Sequence, residues 1–164
     1  MPVSRTEFTS AMAAVAAPVT VVTTMDPQGR RRGFTASSFC SLSLDPPLVL
    51  VCLAKSSSSH PAFAAADHFI VNVLADRHAD LALRFAVPGA DKFAGGEMVP
   101  CERGLPGLSD AAVRLSCAVH AFLDGGDHTI LVGQVEGVDR TETTPLLYHK
   151  RTFTRPAVLD QAAG

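Results

Sequence analysis

The sequence predicts a mainly β protein, an antiparallel barrel with Greek-key-like connections and a few short helices on its outside. Roughly six or seven segments are rich in β-branched or apolar residues, and turn residues of the kind found in hairpins separate most of them. Only about two or three segments have helical spacing, and each is short. No linker or repeat interrupts the chain, so we expect one domain over residues 1–164.

The chain is predicted to open with a short amphipathic helix. Ser4 and Glu7 have the spacing of a capping box, in which each residue satisfies a free backbone group of the first turn. Apolar residues then recur at helical intervals, namely Phe8, Met12 and Val15. Pro18 ends this helix, and the Val- and Thr-rich residues 19–24 form the first strand.

A hairpin turn and a buried strand are expected next. Residues 26–29, Asp-Pro-Gln-Gly, have the composition of a turn, and the returning strand carries Phe34 and Thr35. Residues 48–53 are apolar at every position and follow two prolines, which suits the entrance of a strand. We therefore expect this segment to be a central strand covered on both faces.

Helices and strands alternate in the middle of the chain. Pro61 is tolerated in the first turn of a helix that begins near His60 and continues through an alanine-rich stretch. Residues 69–74 form another strand. Asp76 is the expected cap of a helix from Arg77 to about Phe85.

The last third of the chain is predicted to contain a long hairpin. Residues 87–106 are rich in Gly and Pro and indicate a long loop of the kind that is usually functional or mobile. Residues 113–123 and 129–138 then form two strands on either side of Asp-Gly-Gly-Asp-His at 124–128, a strong hairpin pattern. A short strand within residues 146–154 completes the chain.

Composition excludes several classes of protein. The formal net charge is −2 and the basic residues are scattered, which argues against nucleic acid as a partner. The run Arg30–Arg32 could hold a phosphate or carboxylate, but its place beside a turn favours a solvated hairpin end. No apolar run approaches the ~20 residues that span a bilayer, and no secretory signal opens the chain. We expect a cytoplasmic protein without a membrane partner.

The cysteines and glycines exclude further kinds of site. The four cysteines are widely spaced, with no C-x-x-C pair and no histidine at ligand spacing, so we expect reduced structural thiols and no metal. No G-x-G-x-x-G pattern follows a strand, which argues against a Rossmann dinucleotide site.

Hydroxyl groups on both sides of the apolar strand 48–53 indicate a binding site. Residues 33–38 precede the strand and Ser56–Ser59 follow it, at the predicted start of a helix, where backbone amides and the dipole favour an anion. By itself this pattern indicates only a phosphate-bearing ligand. The alternatives are a flexible serine loop and a strand end whose hydroxyls bond to their own backbone.

Five segments follow one another in an order that is typical of a known family. They are Gly33–Phe39, Ser43–Leu48, Phe69–Leu74, Gly126–Thr129 and Pro145–Tyr148. Together they resemble the flavin reductase family of the FMN-binding split barrel, the reductase components of two-component flavin-dependent monooxygenases. The resemblance implies an NAD(P)H:flavin oxidoreductase that forms a homodimer. It also implies FMN or FAD as the bound flavin, NADH or NADPH as the reductant, and a separate monooxygenase as the partner that receives reduced flavin.

The resemblance also implies roles for single residues. Hydroxyl and backbone groups of residues 35–38 would line the flavin ring and ribityl chain, and serines 56–59 would meet the phosphate. The full set of implied cofactor-binding residues is Thr35, Ala36, Ser37, Ser38, Cys52, Leu53, Lys55, Ser56, Ser57, Ser58, Ser59, Asn72, Phe85, Lys92, Phe93 and Tyr148. His128 is the implied catalytic residue, close to the nicotinamide, with an exposed turn residue as its alternative.

Two other functions remain open. The same fold can serve as a flavin-binding carrier or sensor without turnover, or as an oxidase or oxygenase that needs an organic substrate. The sequence does not decide between FMN and FAD or between NADH and NADPH.

Overall fold

The computed structural model describes residues 1–159 of the 164-residue chain. The α-helices are α1 (Arg5–Ala13), α2 (His60–Ala64) and α3 (Ala79–Ala86), with 3-10 turns at Asp76–His78 and Glu102–Gly104. The strands are β1 (Ala17–Pro18), β2 (Thr20–Met25), β3 (Arg31–Ala36), β4 (Phe39–Ser43), β5 (Leu48–Ala54), β6 (His68–Val73), β7 (Met98–Pro100), β8 (Pro106–Leu108), β9 (Val113–Gly125), β10 (His128–Arg140), β11 (Leu147–His149) and β12 (Thr152–Thr154). The predicted mainly β fold with a few short helices is confirmed.

Seven strands form one antiparallel sheet in the order β3-β2-β6-β9-β10-β5-β4. Its two edge strands, β3 and β4, follow each other in the chain, and β3 also contacts β5. The sheet therefore curls until its ends approach, while the described strands leave it open between β3 and β4. This arrangement is a split barrel.

Two apolar clusters lie on the two faces of the curled sheet. The inner cluster fills the barrel and includes Phe34, Val51 and Phe69. The outer cluster packs α3 and β8 against β2 and β6, and includes Val21 and Phe85. Strands β2 and β6 are thus buried on both faces, because side chains alternate between the two clusters along each strand.

The expectation for residues 48–53 was wrong in one respect. They form β5, but this strand lies next to the edge strand and buries only alternate residues, Val49, Val51 and Leu53. The residues between them, Leu48, Leu50, Cys52 and Ala54, are half-exposed. A run that is apolar at every position predicts two covered faces, but among residues 1–159 nothing packs fully on the second face of β5.

The helical predictions hold with shifted bounds, and α1 ends at Ala13, before Val15. A capping box forms at Ser4, where the Glu7 amide donates to the Ser4 hydroxyl at 3.2 Å. Asp76 begins a 3-10 turn instead of capping a helix, and α3 starts at Ala79, because the His78 ring accepts from the Ala75 amide at 3.0 Å and closes that turn. Pro61 lies in the first turn of α2, as expected.

The segment predicted as a loop is partly ordered into strands. Residues 87–97 are irregular, but β7 and β8 pair with each other across the 3-10 turn that begins at Glu102. The predicted hairpin is confirmed and is longer than expected, since β9 and β10 leave only Gly126 and Asp127 in the turn, with Gly126 at φ +78°.

Residues 1–159 contain no membrane-spanning helix, no group of metal ligands and no disulfide bond. No helix there combines the length and apolar character that crossing a membrane requires. No three His, Cys, Asp or Glu side chains lie close enough together to hold a metal ion. All four cysteines are free thiols, and burial raises the pKa of the Cys117 thiol to about 12.

Candidate active site

A cavity of about 400 Å³ lies between β3, the end of β5, the turn that follows it, and the end of α3. This volume is within the range of cofactor and small-ligand pockets. The lining residues are Phe34, Thr35, Cys52, Leu53, Ala54, Ser56, Ser57, Ser58, Phe85, Ala86, Pro88, Gly89, Lys92 and His128. Nine of the residues implied by the resemblance are among them, because strand ends that lie far apart in sequence meet at this edge of the sheet.

One wall of the cavity is apolar. It is formed by Phe34, Leu53 and Phe85, each buried in one of the two apolar clusters. Phe85 packs edge-on against Phe93, with ring centroids 5.1 Å apart. At Gly33 a Cβ atom would lie 2.8 Å from Phe85 Cε1, so β3 approaches this ring only because residue 33 has no side chain. The wall therefore consists of rings and aliphatic groups.

The polar end of the cavity lies at the serine turn, residues 56–59, of which Ser56, Ser57 and Ser58 border the cavity. The hydroxyls of Ser56 and Ser58 make no hydrogen bond to the described chain, whereas the Ser57 hydroxyl accepts from the Ser59 amide at 3.2 Å. The turn is held in place at Ser59, whose hydroxyl donates to the Gly33 carbonyl at 2.9 Å. The following helix α2 has only five residues, so the hydroxyls matter more here than a helix dipole.

Lys92 brings a positive charge to this polar end. Its Nζ donates to the Gly33 carbonyl at 2.9 Å, and no carboxylate of the described residues forms an ion pair with it. Burial lowers the pKa of the Lys92 ammonium, and the nearby charge of Arg32 lowers it further. A half-buried cation without a carboxylate is stabilised by a bound anion.

His128 lies at the mouth of the cavity. It is the first residue of β10 and pairs with Ala54 of β5, so the hairpin turn brings its ring beside the end of that strand. Its Nδ1 is 2.7 Å from Asp127 Oδ1, and its side chain is 45% exposed. This hydrogen bond fixes the orientation of the ring and leaves Nε2 as the free nitrogen.

Several hydroxyls in the β3–β4 region are used within the fold. The Thr35 hydroxyl donates to the Ala82 carbonyl of α3 at 2.6 Å, although Thr35 still lines the cavity. The Ser38 hydroxyl accepts from the Cys52 amide at 3.1 Å and extends the ladder between β4 and β5. Ser38 therefore positions β5 from outside the cavity, and Ala36 and Ser37 are also outside it.

Other residues implied by the resemblance lie away from the cavity. The Asn72 amide is buried and donates to the Val21 carbonyl, and its oxygen accepts from the Leu108 amide, each at 2.8 Å. The Lys55 ammonium is paired with Asp124. Tyr148 lies in a separate apolar groove beside α1, together with Ser37. Phe93 and Ser59 line a second cavity that adjoins the first.

Sequence reasoning missed part of the lining. Phe34, Ala54, Ala86, Pro88 and Gly89 also line the cavity. Phe34 lies within residues 33–38, the segment whose hydroxyl groups indicated a binding site. Pro88 and Gly89 lie in the predicted functional loop, whose composition was the available indication.

Comparison with known proteins assigns the family. The family model described as "Flavin reductase like domain" matches residues 12–157. A Streptomyces coelicolor protein named actinorhodin polyketide dimerase is 48% identical over 155 residues, which are 94% of this chain and 86% of the relative. An NADH:riboflavin 5′-phosphate oxidoreductase of Streptomyces pristinaespiralis is 45% identical over 152 residues, 91% of this chain and 86% of the relative.

Further relatives point the same way. The reductase subunit of a flavin-dependent monooxygenase of Mycobacterium tuberculosis is 37% identical over 90% of this chain and 80% of its own length. The solved structure of an NADH:FAD oxidoreductase of Streptomyces globisporus, in complex with NAD and FAD fragments, superposes with a TM-score of 0.89 at 34% identity and covers 96% of both chains. The chain with this split barrel and this cavity thus belongs to the flavin reductase-like family.

Proposed function

We propose that the cavity between β3, β5 and α3 is where this NAD(P)H:flavin oxidoreductase holds FMN or FAD while a nicotinamide reduces it. The observation that carries the proposal is that one cavity combines an apolar wall with unbonded hydroxyls and a lysine that has no carboxylate partner. A flat ring system that carries a phosphate at the end of a polar chain needs an apolar wall for its rings and hydrogen-bond donors with a positive charge for its phosphate.

The residues present fit a flavin. Phe34, Leu53 and Phe85 supply a dry surface for the aromatic ring system. Ser56, Ser58 and Lys92 supply donors for a phosphate, and charge-assisted hydrogen bonds of this kind are about twice as strong as neutral ones. Thr35 contributes its backbone more than its hydroxyl, since α3 uses the hydroxyl.

The chemistry of hydride acceptance belongs to the flavin, which when bound takes the hydride at its N5 atom. The chain's own contribution is geometric. The apolar wall covers one side and excludes water from it, while the mouth beside His128 leaves the other side open to a nicotinamide. When the protein holds the flavin and the nicotinamide in this arrangement, the reaction between them takes place within one aligned complex and needs no further encounter.

A separate monooxygenase component is the proposed recipient of reduced flavin. The name of the Mycobacterium tuberculosis relative, a monooxygenase reductase subunit, supports this assignment. The cavity is open at its mouth, which suits release of the product. We propose the cytoplasm as the location, since the reaction consumes NAD(P)H.

Steady-state oxidation of NADH and NADPH with added FMN or FAD tests the function. Turnover of excess flavin without any organic substrate is the expected result. Binding of one flavin without turnover would identify a carrier or sensor instead. Consumption of NADH only after addition of an organic compound would identify an oxidase or oxygenase.

Replacing His128 by alanine is expected to lower kcat/KM for the nicotinamide about tenfold, because the ring borders the mouth at which the nicotinamide is proposed to enter. The dissociation constant of the flavin should change by less than about twofold. Stopped-flow reduction and fluorescence titration measure the two quantities.

His120→Ala is the matched control for this histidine, since His120 is exposed on β9 and does not line the cavity. An equal loss of flavin affinity and nicotinamide reactivity in His128→Ala would show that His128 belongs to the flavin site.

We also propose a homodimer that forms through the outer face of β5, β10 and β9. Cys52, Ile130 and Leu123 lie directly opposite one another on this face, and Leu123 is 51% exposed. This is also the face on which the apolar residues of β5 are half-exposed. Because Cys52 and His128 line the cavity as well, a second copy on this face would border its mouth.

Light scattering in solution tests the dimer. Leu123→Glu should produce a monomer, because the carboxylate would be buried without a partner. Leu83→Glu, which alters a residue of similar exposure (54%) on α3, should stay dimeric. A monomeric wild-type protein, or a dimeric Leu123→Glu, would contradict this interface.

A further inference from the structure

His60 is the first residue of α2 and follows directly on the serine turn. Its half-buried ring does not line the cavity, but its Nε2 lies 2.9 Å from the Thr129 hydroxyl of β10, and the two atoms share a hydrogen bond. Thr129 is only 4% exposed, and among residues 1–159 its hydroxyl has no other partner. The Phe122 ring packs on the imidazole, with ring centroids 5.3 Å apart. Because a buried hydroxyl is costly to leave unpaired, this bond fixes the start of β10 against the start of α2.

The other end of the serine turn is attached to the same hairpin. The Lys55 amide donates to the Asp127 carbonyl at 2.9 Å, and the Lys55 ammonium is paired with Asp124. Serines 56–58, which border the polar end of the cavity, therefore lie between two attachments to residues 124–129. The serine turn and the end of the hairpin form one connected unit.

Thr129 and His128 are neighbours on β10 and face opposite sides of the sheet. Thr129 lies opposite Leu53 and faces the inner cluster, whereas His128 lies opposite Ala54 at the mouth of the cavity. The two residues share a peptide unit, so a hydroxyl that is held on one side of the strand fixes how the ring is presented on the other.

We propose that His60 is a positioning residue through which the phosphate of the flavin orients His128 at the mouth of the cavity. The inference rests on the proposed function, which takes the phosphate to bind at Ser56 and Ser58. An anion that orders this turn also orders the His60 ring that follows it, and the bond to Thr129 passes the change to the neighbouring histidine. Binding energy of a remote, unreacting group is thus used for orientation where the reaction occurs.

The coupling gives a preference among flavins that is visible in the rate constant of reduction. Riboflavin has the same ring system as FMN but no phosphate, so it fills the apolar part of the cavity without ordering the turn. In stopped-flow experiments with NADH at saturating flavin, the wild type should reduce FMN about tenfold faster than riboflavin. In His60→Ala, and equally in Thr129→Val, the rate constant for FMN should fall to within about twofold of that for riboflavin.

An NMR experiment on protein with isotope-labelled histidines tests the coupling without turnover. Inorganic phosphate, added at constant pH and ionic strength in place of flavin, should shift the ring resonances of His128, which are assigned by their loss in His128→Ala. The shift should be absent in His60→Ala, although the serine donors for phosphate remain. No shift in the wild type, or a shift of equal size in His60→Ala, would overturn the coupling.

Two further variants separate this role from a structural one. His60→Gln keeps an amide group that can donate to the Thr129 hydroxyl or accept from it, so it should retain the preference for FMN. Phe122→Leu removes the ring that packs on His60 but leaves the hydrogen bond, so it should destabilise the fold and keep the preference. A preference that is lost in Phe122→Leu and kept in Thr129→Val would identify ring packing as the cause and overturn the inference.

The outcomes also separate this coupling from the function on which it rests. Equal rate constants for FMN and riboflavin in the wild type would overturn the role of His60 while flavin reduction stands. Absence of any reduction of flavin by NADH or NADPH would overturn the proposed function itself. If His60→Ala does not fold, Thr129→Val decides, because valine has nearly the shape of threonine and removes only the hydroxyl.

Discussion

Replacing Lys92 by methionine is expected to weaken FMN binding about 10- to 100-fold, because a hydrogen bond between charged groups contributes roughly 1.5–3 kcal/mol. Methionine keeps the length and apolar stem of the side chain, so packing around the Gly33 carbonyl changes little. Riboflavin lacks the phosphate, and its affinity should stay within about threefold of the wild-type value. Fluorescence titration with both flavins measures the difference.

Lys55→Met is the control for this substitution, since Lys55 adjoins the same serine turn but is paired with Asp124 outside the cavity. It should leave both affinities unchanged. Should Lys92→Met weaken riboflavin as much as FMN, the lysine would be a packing residue and the phosphate would bind elsewhere.

The same lysine predicts the sign of a pH dependence. Burial lowers the pKa of Lys92 from that of an ordinary lysine, so the cation is lost at a lower pH than an exposed lysine would lose it. FMN affinity should fall on the alkaline side accordingly. Lys92→Arg should abolish this alkaline decline, because arginine keeps its charge.

Replacing Phe85 by alanine is expected to lower the free energy of unfolding by about 3–5 kcal/mol and to weaken flavin binding as well. The ring is buried, supports Phe93 and forms part of the apolar wall, so its removal both leaves a void and opens the cavity. Urea denaturation of the protein without flavin and fluorescence titration give the two quantities.

Phe69→Ala separates the two effects. Phe69 is equally buried but lies in the inner cluster and does not line the cavity. It should destabilise the protein by a similar amount without changing the flavin dissociation constant of the folded fraction. The milder pair Phe85→Leu and Phe69→Leu serves if either alanine variant does not fold. Equal flavin affinities in the two variants of a pair would remove Phe85 from the site.

Local patterns predicted most of the fold. The capping box at Ser4, the turn after Met25 and the hairpin at Gly126 depend on interactions within a few residues, and all three are present. The covering of β5 depends on contacts between distant segments, whereas β7 and β8 pair locally but lie in a Gly- and Pro-rich stretch without a strand pattern. An apolar run shows that a strand can be buried, but the position of that strand in the sheet decides whether one or both of its faces are buried.

The predicted site residues lie partly in the cavity and partly outside it, and their roles stay a prediction. The serine turn and Thr35 lie on adjoining elements, and the resemblance supplied Phe85, Lys92 and His128, which also line the cavity. Asn72 and Ser38 belong to the same motifs, but their side chains are hydrogen-bonded to backbone groups and neither lines the cavity. Hydrogen-bond partners of this kind come from other strands, which motif order does not show.

The sequence by itself determined the class of fold and most of the long strands, because these follow from periodicity and turn residues, and the resemblance of its motifs indicated the family. Only the tertiary structure decided which polar groups are free to bind. Hydrogen-bond partners such as Ala82 for Thr35 and Asp124 for Lys55 come from segments far away in sequence. The contact of the exposed Arg31 guanidinium with the Phe93 ring, 4.7 Å from the ring centre, likewise joins segments far apart in sequence.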